Sequence, residues 1–386
     1  VRFLMTITPG TGHTYPMVPL AWALQLAGHE VLVASSGPGL ALGEAGARTV
    51  DVAPGLSLGA MLGKLAATHP EVAAKLTQEA AGAGYLETVG GAVAMALRLQ
   101  PDMVDAVIRT AEEWQPDLVL HSPLLTPGLV AAAKLGVPAV QHGFGFINPP
   151  AEMLRDVHAD LFERHGVDLP AVRATLDLTP PSLIPTGPGL WSMGFVPYNG
   201  SGALPKPVYD LLNSRPEVPR IAVTLGSGPV PGEAATIMER ILTTAPKMDA
   251  EFVVVLPTVD LERFGPLPSN VHAFDWVPYV SLLARSSVVI HHAGPGTALG
   301  AMALGVPQVM PAFKGLGRPV VAEAIARRGV GRIVQPEELG PEVLEAVLAD
   351  PAIRTAAAEV RDEIRHMPSP HSVVDRLVDL AGSAKG

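Results

Sequence analysis

No cysteine occurs in the 386-residue chain, which excludes a disulfide framework, a thiolate metal site and a cysteine nucleophile. Charge is also sparse: 17% of residues are charged, the net charge is −10, and there are no basic runs. That balance argues against nucleic acid as a partner and does not suggest an anionic membrane surface. No apolar run approaches the roughly twenty residues needed to span a bilayer. The segment VRFLMTITPG enters a strand and a glycine turn directly, without the basic stretch, longer apolar stretch and cleavage site of a signal peptide, so a cytoplasmic protein is expected. The sequence has no DxD or HExxH pattern and neither the Walker A nor the dinucleotide spacing, so no metal and no cofactor are expected.

What remains is apolar and strongly punctuated. A hydrophobic content of 48% over this length supplies cores for two ordinary domains. Arg2 to Thr8 reads as a strand, TPGTGHTYP as a loop, Met17 to about Leu26 as a helix closed by Gly28, and Glu30 to Ser36 as a second strand. This βαβ opening predicts a parallel sheet with ligands beyond its carboxyl ends. Leu56 to Gln100 reads as a helical insertion, DLVLH and AVQH as further buried strands, and Pro149 to Pro219 as an irregular connector. A second alternating series starts at Arg220, giving an α/β fold of two doubly wound domains facing each other across a cleft. The expected boundaries are 1–203, a linker at 204–219, 220–368, and a last helix at 369–386 packing back on the first domain.

The most informative stretch is SVVIHHAGPGTALGAMALGVP, Ser287 to Pro307. A β-branched strand ends in two histidines, a glycine turn follows, and a short helix closes at Gly305. That geometry suits an anion, since glycines admit the ligand and free N–H groups and the helix dipole favour negative charge. His291 and His292 must point to opposite faces; His292 is the better phosphate contact, through Gly294, Gly296 and Thr297. In the first domain His13 follows the first strand, where a helix start and partial burial lower its proton affinity. It is either a general base or a histidine that caps the helix. Ser227 in TLGSG is a candidate for the same anion. Trp276 offers a face to a nucleobase or packs between domains. Met61, Tyr85, Phe144 and Phe146 are core residues or acceptor contacts.

The ordered set TPGTGHTYPMVPLAWALQLAGHEV, PPSL, FVPYNG, AVTLGS, FDWVP, HHAGPGT, LGAMALGVPQ and MPSP resembles the GT-B glycosyltransferases that use nucleoside-diphosphate sugars. In particular it is similar to the bacterial enzymes that attach deoxysugars to anthracycline, enediyne and macrolide antibiotics. The resemblance implies that His13 deprotonates the acceptor hydroxyl, which attacks the anomeric carbon of a TDP-sugar with inversion and without a metal. It places Ser227, Trp276, Val277, His292, Gly294, Gly296 and Thr297 on the nucleotide and diphosphate. Gly12, Leu316 and Gly317 fall to the sugar, and Met61, Tyr85, Phe144 and Phe146 to a hydrophobic polyketide-type acceptor.

Two departures from that family stand out. Ser122 occupies the position of a carboxylate that pairs with the catalytic histidine, and a hydroxyl orients an imidazole without stabilising its charged form. The family's Asp-Gln sugar-binding pair is missing from Pro311 to Arg318. A deoxysugar donor fits that loss, because an unpaired polar group costs affinity. So does a degenerate site. The alternatives are a non-catalytic nucleotide-binding partner of another glycosyltransferase and a nucleotide-sugar epimerase; a homodimer is one assembly the sequence allows.

Overall fold

The short apolar runs form parallel strands, and the segments between them return as helices. The computed structural model describes residues 1–78, 85–187, 189–200, 202–214, 217–226, 231–256, 260, 262–315 and 317–383. The chain opens with β1 (Arg2–Thr6), α1 (Thr11–Thr14), α2 (Val18–Leu26), β2 (Glu30–Ser35) and β3 (Arg48–Asp51), then α3 (Leu58–Thr68), α4 (Pro70–Gln78), α5 (Tyr85–Arg98) and α6 (Pro101–Trp114). It continues through β4 (Leu118–His121), α7 (Thr126–Leu135), β5 (Ala139–His142), α8 (Ala151–Val157), α9 (Ala159–His165), β6 (Arg173–Asp177), β7 (Leu190–Ser192) and α10 (Lys206–Asn213). Next come β8 (Arg220–Thr224), α11 (Pro231–Thr244), β9 (Glu251–Val255), β10 (Val271–Phe274), α12 (Tyr279–Leu283), β11 (Val288–His291) and α13 (Pro295–Leu304). β12 (Gln308–Pro311), α14 (Arg318–Arg328), β13 (Gly331–Val334), α15 (Pro341–Ala349), α16 (Pro351–His366) and α17 (Pro370–Ser383) complete it.

The strands make two parallel sheets, one ordered β3-β2-β1-β4-β5-β6-β7 and the other β10-β9-β8-β11-β12-β13. The chain separates into two compact units. The first comprises 1–179, 186–194 and 367–386, and the second 180–185 and 195–366. The period of two decides how each strand serves its core. In the second unit Ile221, Val223, Val288 and Ile290 join the cluster holding Ile237 and Ile241 of α11. Ala222 and Val289 face the other way, onto Leu282 and Leu283 of α12 and Ala301 of α13. In the first unit α6 buries Val104, Val107, Ile108 and Ala111 on one stripe, as helical spacing requires.

The segment 149–219 departs from the irregular reading, since α8, α9, β6, β7 and α10 lie within it and two of them extend the first sheet. Its prolines punctuate element starts rather than breaking elements. Pro150 is the N-cap of α8 and Pro205 that of α10, positions where a missing N–H costs nothing. The loop reading of TPGTGHTYP is corrected as well: Thr11–Thr14 is a helical turn and Tyr15–Met17 a 3-10 turn, so the chain is helical from the residue after Gly10.

The last helix belongs to the first unit. α17 buries Val373, Val374 and Leu377, packing on α2 and β4. The Arg376 guanidinium lies 3.9 Å from the Trp191 ring centroid, and Gly194 N–H donates to Pro368 O at 2.8 Å.

Candidate functional site

Each sheet reverses its strand order once, between β1 and β4 in the first unit and between β8 and β11 in the second. The crevice at the carboxyl ends of such a pair is where open α/β sheets bind ligands. His13 follows β1 and Ser122 follows β4; Gly226 follows β8 and His292 follows β11. Of the residues singled out in the sequence, His13, Ser122 and His292 therefore lie at switch points.

In the first unit, α1 begins immediately after the extended N-cap Gly10 and presents His13 within its single turn. The half-buried imidazole meets the edge of Phe144, centroid to centroid 4.7 Å at 60°. Its Nδ1 is enclosed with no hydrogen-bond partner among the described residues. Burial lowers its pKa to about 4, so the ring is neutral at pH 7. Among the described residues Ser122 makes no hydrogen bond to that Nδ1. The serine Oγ instead accepts from Thr8 N–H at 3.0 Å and shares a 2.9 Å hydrogen bond with Thr8 Oγ1. The expected role of Ser122 in orienting the imidazole is thus corrected: its hydroxyl fixes the exit of β1, and with it the start of the His13 turn. Gly12 is exposed, and a side chain there would meet nothing within 4 Å.

In the second unit the two histidines part as the strand period demands. His291 is fully buried; Ala293 N–H donates to its Nδ1 at 3.1 Å, and its Nε2 lies 2.7 Å from Gln308 Oε1. Because Nδ1 accepts, Nε2 carries the proton and donates to Gln308, which fixes one tautomer. That bond holds Ala293 in a left-handed conformation, φ 60°. His292 emerges on the other side, where its ring is flanked by two glycine backbones. A Cβ on Gly226, itself at φ 75°, would lie 2.6 Å from His292 Cε1, and one on Gly294 would lie 2.4 Å from Nε2. Only glycine fits at either place. Burial, then the charges of His291 and Arg318, lower the His292 pKa to about 3.

Gly294 caps α13, whose first turn contains Pro295, Gly296 and Thr297. A ten-residue helix with N–H groups free at its first turn, beside a neutral imidazole, has the donors and the dipole that favour an anion. Tyr279 OH donates to Thr297 O at 3.1 Å, tying the loop after β10 to this turn. Trp276 stands in that loop 40% exposed, with Gly202 packed so closely that a Cβ there would lie 2.8 Å from the ring. β10 and β11 are three strand spacings apart, about 14 Å, so the indole and the start of α13 stand well apart on the same edge of the sheet. The Val277 side chain is in the core, 4% exposed, which leaves only its backbone for a nucleotide.

Other expected residues fall elsewhere. Ser227 and Leu316 lie outside the described residues, as does the side chain of Tyr85 at the start of α5. Met61 is part of the hydrophobic core, and Phe146 is buried with its N–H donated to Thr179 Oγ1 at 2.6 Å. The acceptor roles expected of these two are corrected, because neither offers surface; Phe144, half-buried against His13, does. Gly317 is the left-handed N-cap of α14. Sequence reading missed Thr8, Tyr279 and Gln308. The tyrosine directly follows WVP and opens α12, and the glutamine directly follows a helix-ending GVP and opens β12. Among the described residues no group of three or more His, Asp or Glu side chains is arranged to hold a metal, and no helix is long and apolar enough to cross a membrane.

Comparison with known proteins accounts for this arrangement. Residues 22–226 match the family described as erythromycin biosynthesis protein CIII-like, N-terminal domain, and residues 239–380 match its C-terminal domain. The elloramycin glycosyltransferase ElmGT of Streptomyces olivaceus is 35% identical over 98% of this chain and 97% of its own length. The 10-deoxymethynolide desosaminyltransferase of Streptomyces venezuelae is 32% identical over 99% and 97%. Among solved structures, the glycosyltransferase SnogD of Streptomyces nogalater superposes with a TM-score of 0.83 at 35% identity, covering 99% of each chain. VinC in complex with dTDP gives 0.77 at 30%, covering 99% of this chain and 100% of that one. Both sheets and both switch points thus fit the GT-B fold, and the chain belongs to the erythromycin biosynthesis protein CIII-like family of glycosyltransferases.

Proposed function

We propose that this enzyme transfers a deoxysugar from a TDP-sugar to a hydroxyl of a hydrophobic polyketide-type acceptor in antibiotic biosynthesis, with inversion and without a metal ion. The observation that carries the reading is His292, held between Gly226 and Gly294 at the start of α13 on a switch point, an anion site shaped for a diphosphate. The named relatives act on polyketide antibiotics, and VinC was solved with dTDP.

The second unit binds the donor: Trp276 lies against the base and the α13 turn holds the diphosphate. In the first unit the acceptor hydroxyl donates its proton to His13 Nε2 as its oxygen attacks the anomeric carbon. The new glycosidic C–O bond forms while the bond to the β-phosphate oxygen breaks, its electron pair leaving with TDP. Fixed N–H dipoles meet the charge that develops on that oxygen. For Nε2 to accept, Nδ1 must carry the ring proton; no described group accepts it, in keeping with an imidazole of low proton affinity.

Replacing His13→Ala is expected to lower transfer by about two to four orders of magnitude with calorimetric TDP affinity unchanged; full turnover overturns the base. Because the base must be neutral and its pKa is lowered to about 4, wild-type kcat/KM should fall only as pH drops toward that value. An acid limb near the ordinary histidine pKa would contradict the buried setting.

A further inference from the structure

The Arg318 charge contributes to the field at His292, and nothing above gives this arginine a task. It is the first residue of α14, beyond β12, and its side chain is 10% exposed. Nη1 donates to Glu233 Oε2 at 2.5 Å, Nη2 to Lys314 O at 2.6 Å and Nε to Gly315 O at 3.3 Å. Glu233 is in the first turn of α11, beyond β8. In the strand order β8-β11-β12, the two partners rise from the strands on either side of β11. The ion pair therefore spans the carboxyl end of the strand that carries His292.

A buried ion pair is a weak device for stability, since desolvating both charges costs several kcal/mol. Its position offers another reason for it. The guanidinium has five N–H groups, and the bonds above use three; two remain without a partner among the described residues. His292 is neutral, and the α13 turn contributes only dipoles, so Arg318 would add a full positive charge at this end of the sheet. Arginine suits that task because it stays protonated when buried and its planar fork matches a phosphate.

We propose that Arg318, held in place by Glu233, contacts the donor diphosphate and supplies the charge that a metal ion provides in other nucleotide-sugar enzymes. This rests on the donor reading of the second unit. It also gives the sequence around Gly317 and Arg318 a use in place of the missing Asp-Gln pair: the segment answers to phosphate charge rather than to sugar hydroxyls.

The test is calorimetric titration of thymidine, TMP and TDP into wild type, Arg318→Lys, Arg318→Met and the double variant Arg318→Met/Glu233→Gln, which leaves no unpaired buried carboxylate. Expected is a loss that grows with phosphate charge: thymidine unaffected, TMP reduced a few-fold, TDP reduced tenfold or more. The lysine variant should recover part of the loss, and the salt dependence of TDP binding should flatten in both methionine variants. Equal losses for all three ligands would mean that the pair only supports the fold, and unchanged TDP affinity would mean that the charge does not reach the ligand. Either result overturns the proposal. If wild type binds none of the three, the donor reading itself fails and takes the proposal with it.

Discussion

At the scale of the residue, the site depends on backbone conformations that side chains on neighbouring strands hold in place. Ala293 adopts φ 60° because its N–H is drawn to His291 Nδ1, and a left-handed alanine costs about 1–2 kcal/mol. Ala293→Gly should therefore stabilise the second unit, by about 1 kcal/mol or less after the added freedom of the unfolded glycine is subtracted, visible as a small rise in melting temperature. A fall would show that the alanine methyl, which is 1% exposed, contributes more by packing than it costs in conformation. The opposed directions of His291 and His292 were legible in the sequence, because the period of a strand is two. The partner of His291 was not, since Gln308 reaches it only after a helical crossover of 17 residues.

Elements explain what residue patterns alone could not. The turn carrying His13 is placed by β1, α1 and the Ser122–Thr8 pair, not by a group on the imidazole. Ser122→Ala removes both bonds and strands a buried N–H at Thr8, which costs about 1–3 kcal/mol. Transfer should slow because the turn loosens, yet the acid limb of the pH profile should stay where it is in wild type, since the serine hydroxyl is bonded to Thr8. A displaced limb would return Ser122 to direct contact with the base. The segment 149–219 was misread because proline was taken as an interruption. At Pro150 and Pro205 it starts a helix, and the strands β6 and β7 are too short, at five and three residues, to announce themselves by alternation.

For the whole molecule, burial of histidine sets a lower limit of pH. His121, His142, His158 and His291 are each less than 4% exposed, and burial lowers each from the ordinary value to about 4. The unfolded chain then binds more protons than the folded one below the free histidine pKa of about 6.5. The stability they lend is complete above that value and is lost as pH falls from there toward 4. Each contributes about 1 kcal/mol of loss by pH 5.5, so urea midpoints should drop steeply between pH 7 and pH 5.5. A flat profile would mean that these imidazoles find proton-binding partners in solution. Two sheets with one reversal each were legible from the alternation of apolar runs, as was the glycine turn at one switch point. The surface that α17 covers was less so, because its apolar stripe does not say that it faces α2.

That last helix has a practical consequence for recombining enzymes of this family. The unit that carries His13 is built from both ends of the polypeptide, while the unit that carries His292 is an insertion within it, spanning 195–366 with a short piece at 180–185. A chimaera made by a single splice near residue 195 would join an N-terminal body to a foreign α17, whose Val373, Val374 and Leu377 equivalents must fit a surface on α2 selected with another partner. Exchange of the main part of the second unit calls instead for a cassette with two junctions, one beside Gly194 and one beside Met367, where Gly194 N–H already meets Pro368 O. The natural seams of the molecule are thus a pair of adjacent points on one body, and residues 195–366 can be exchanged between them.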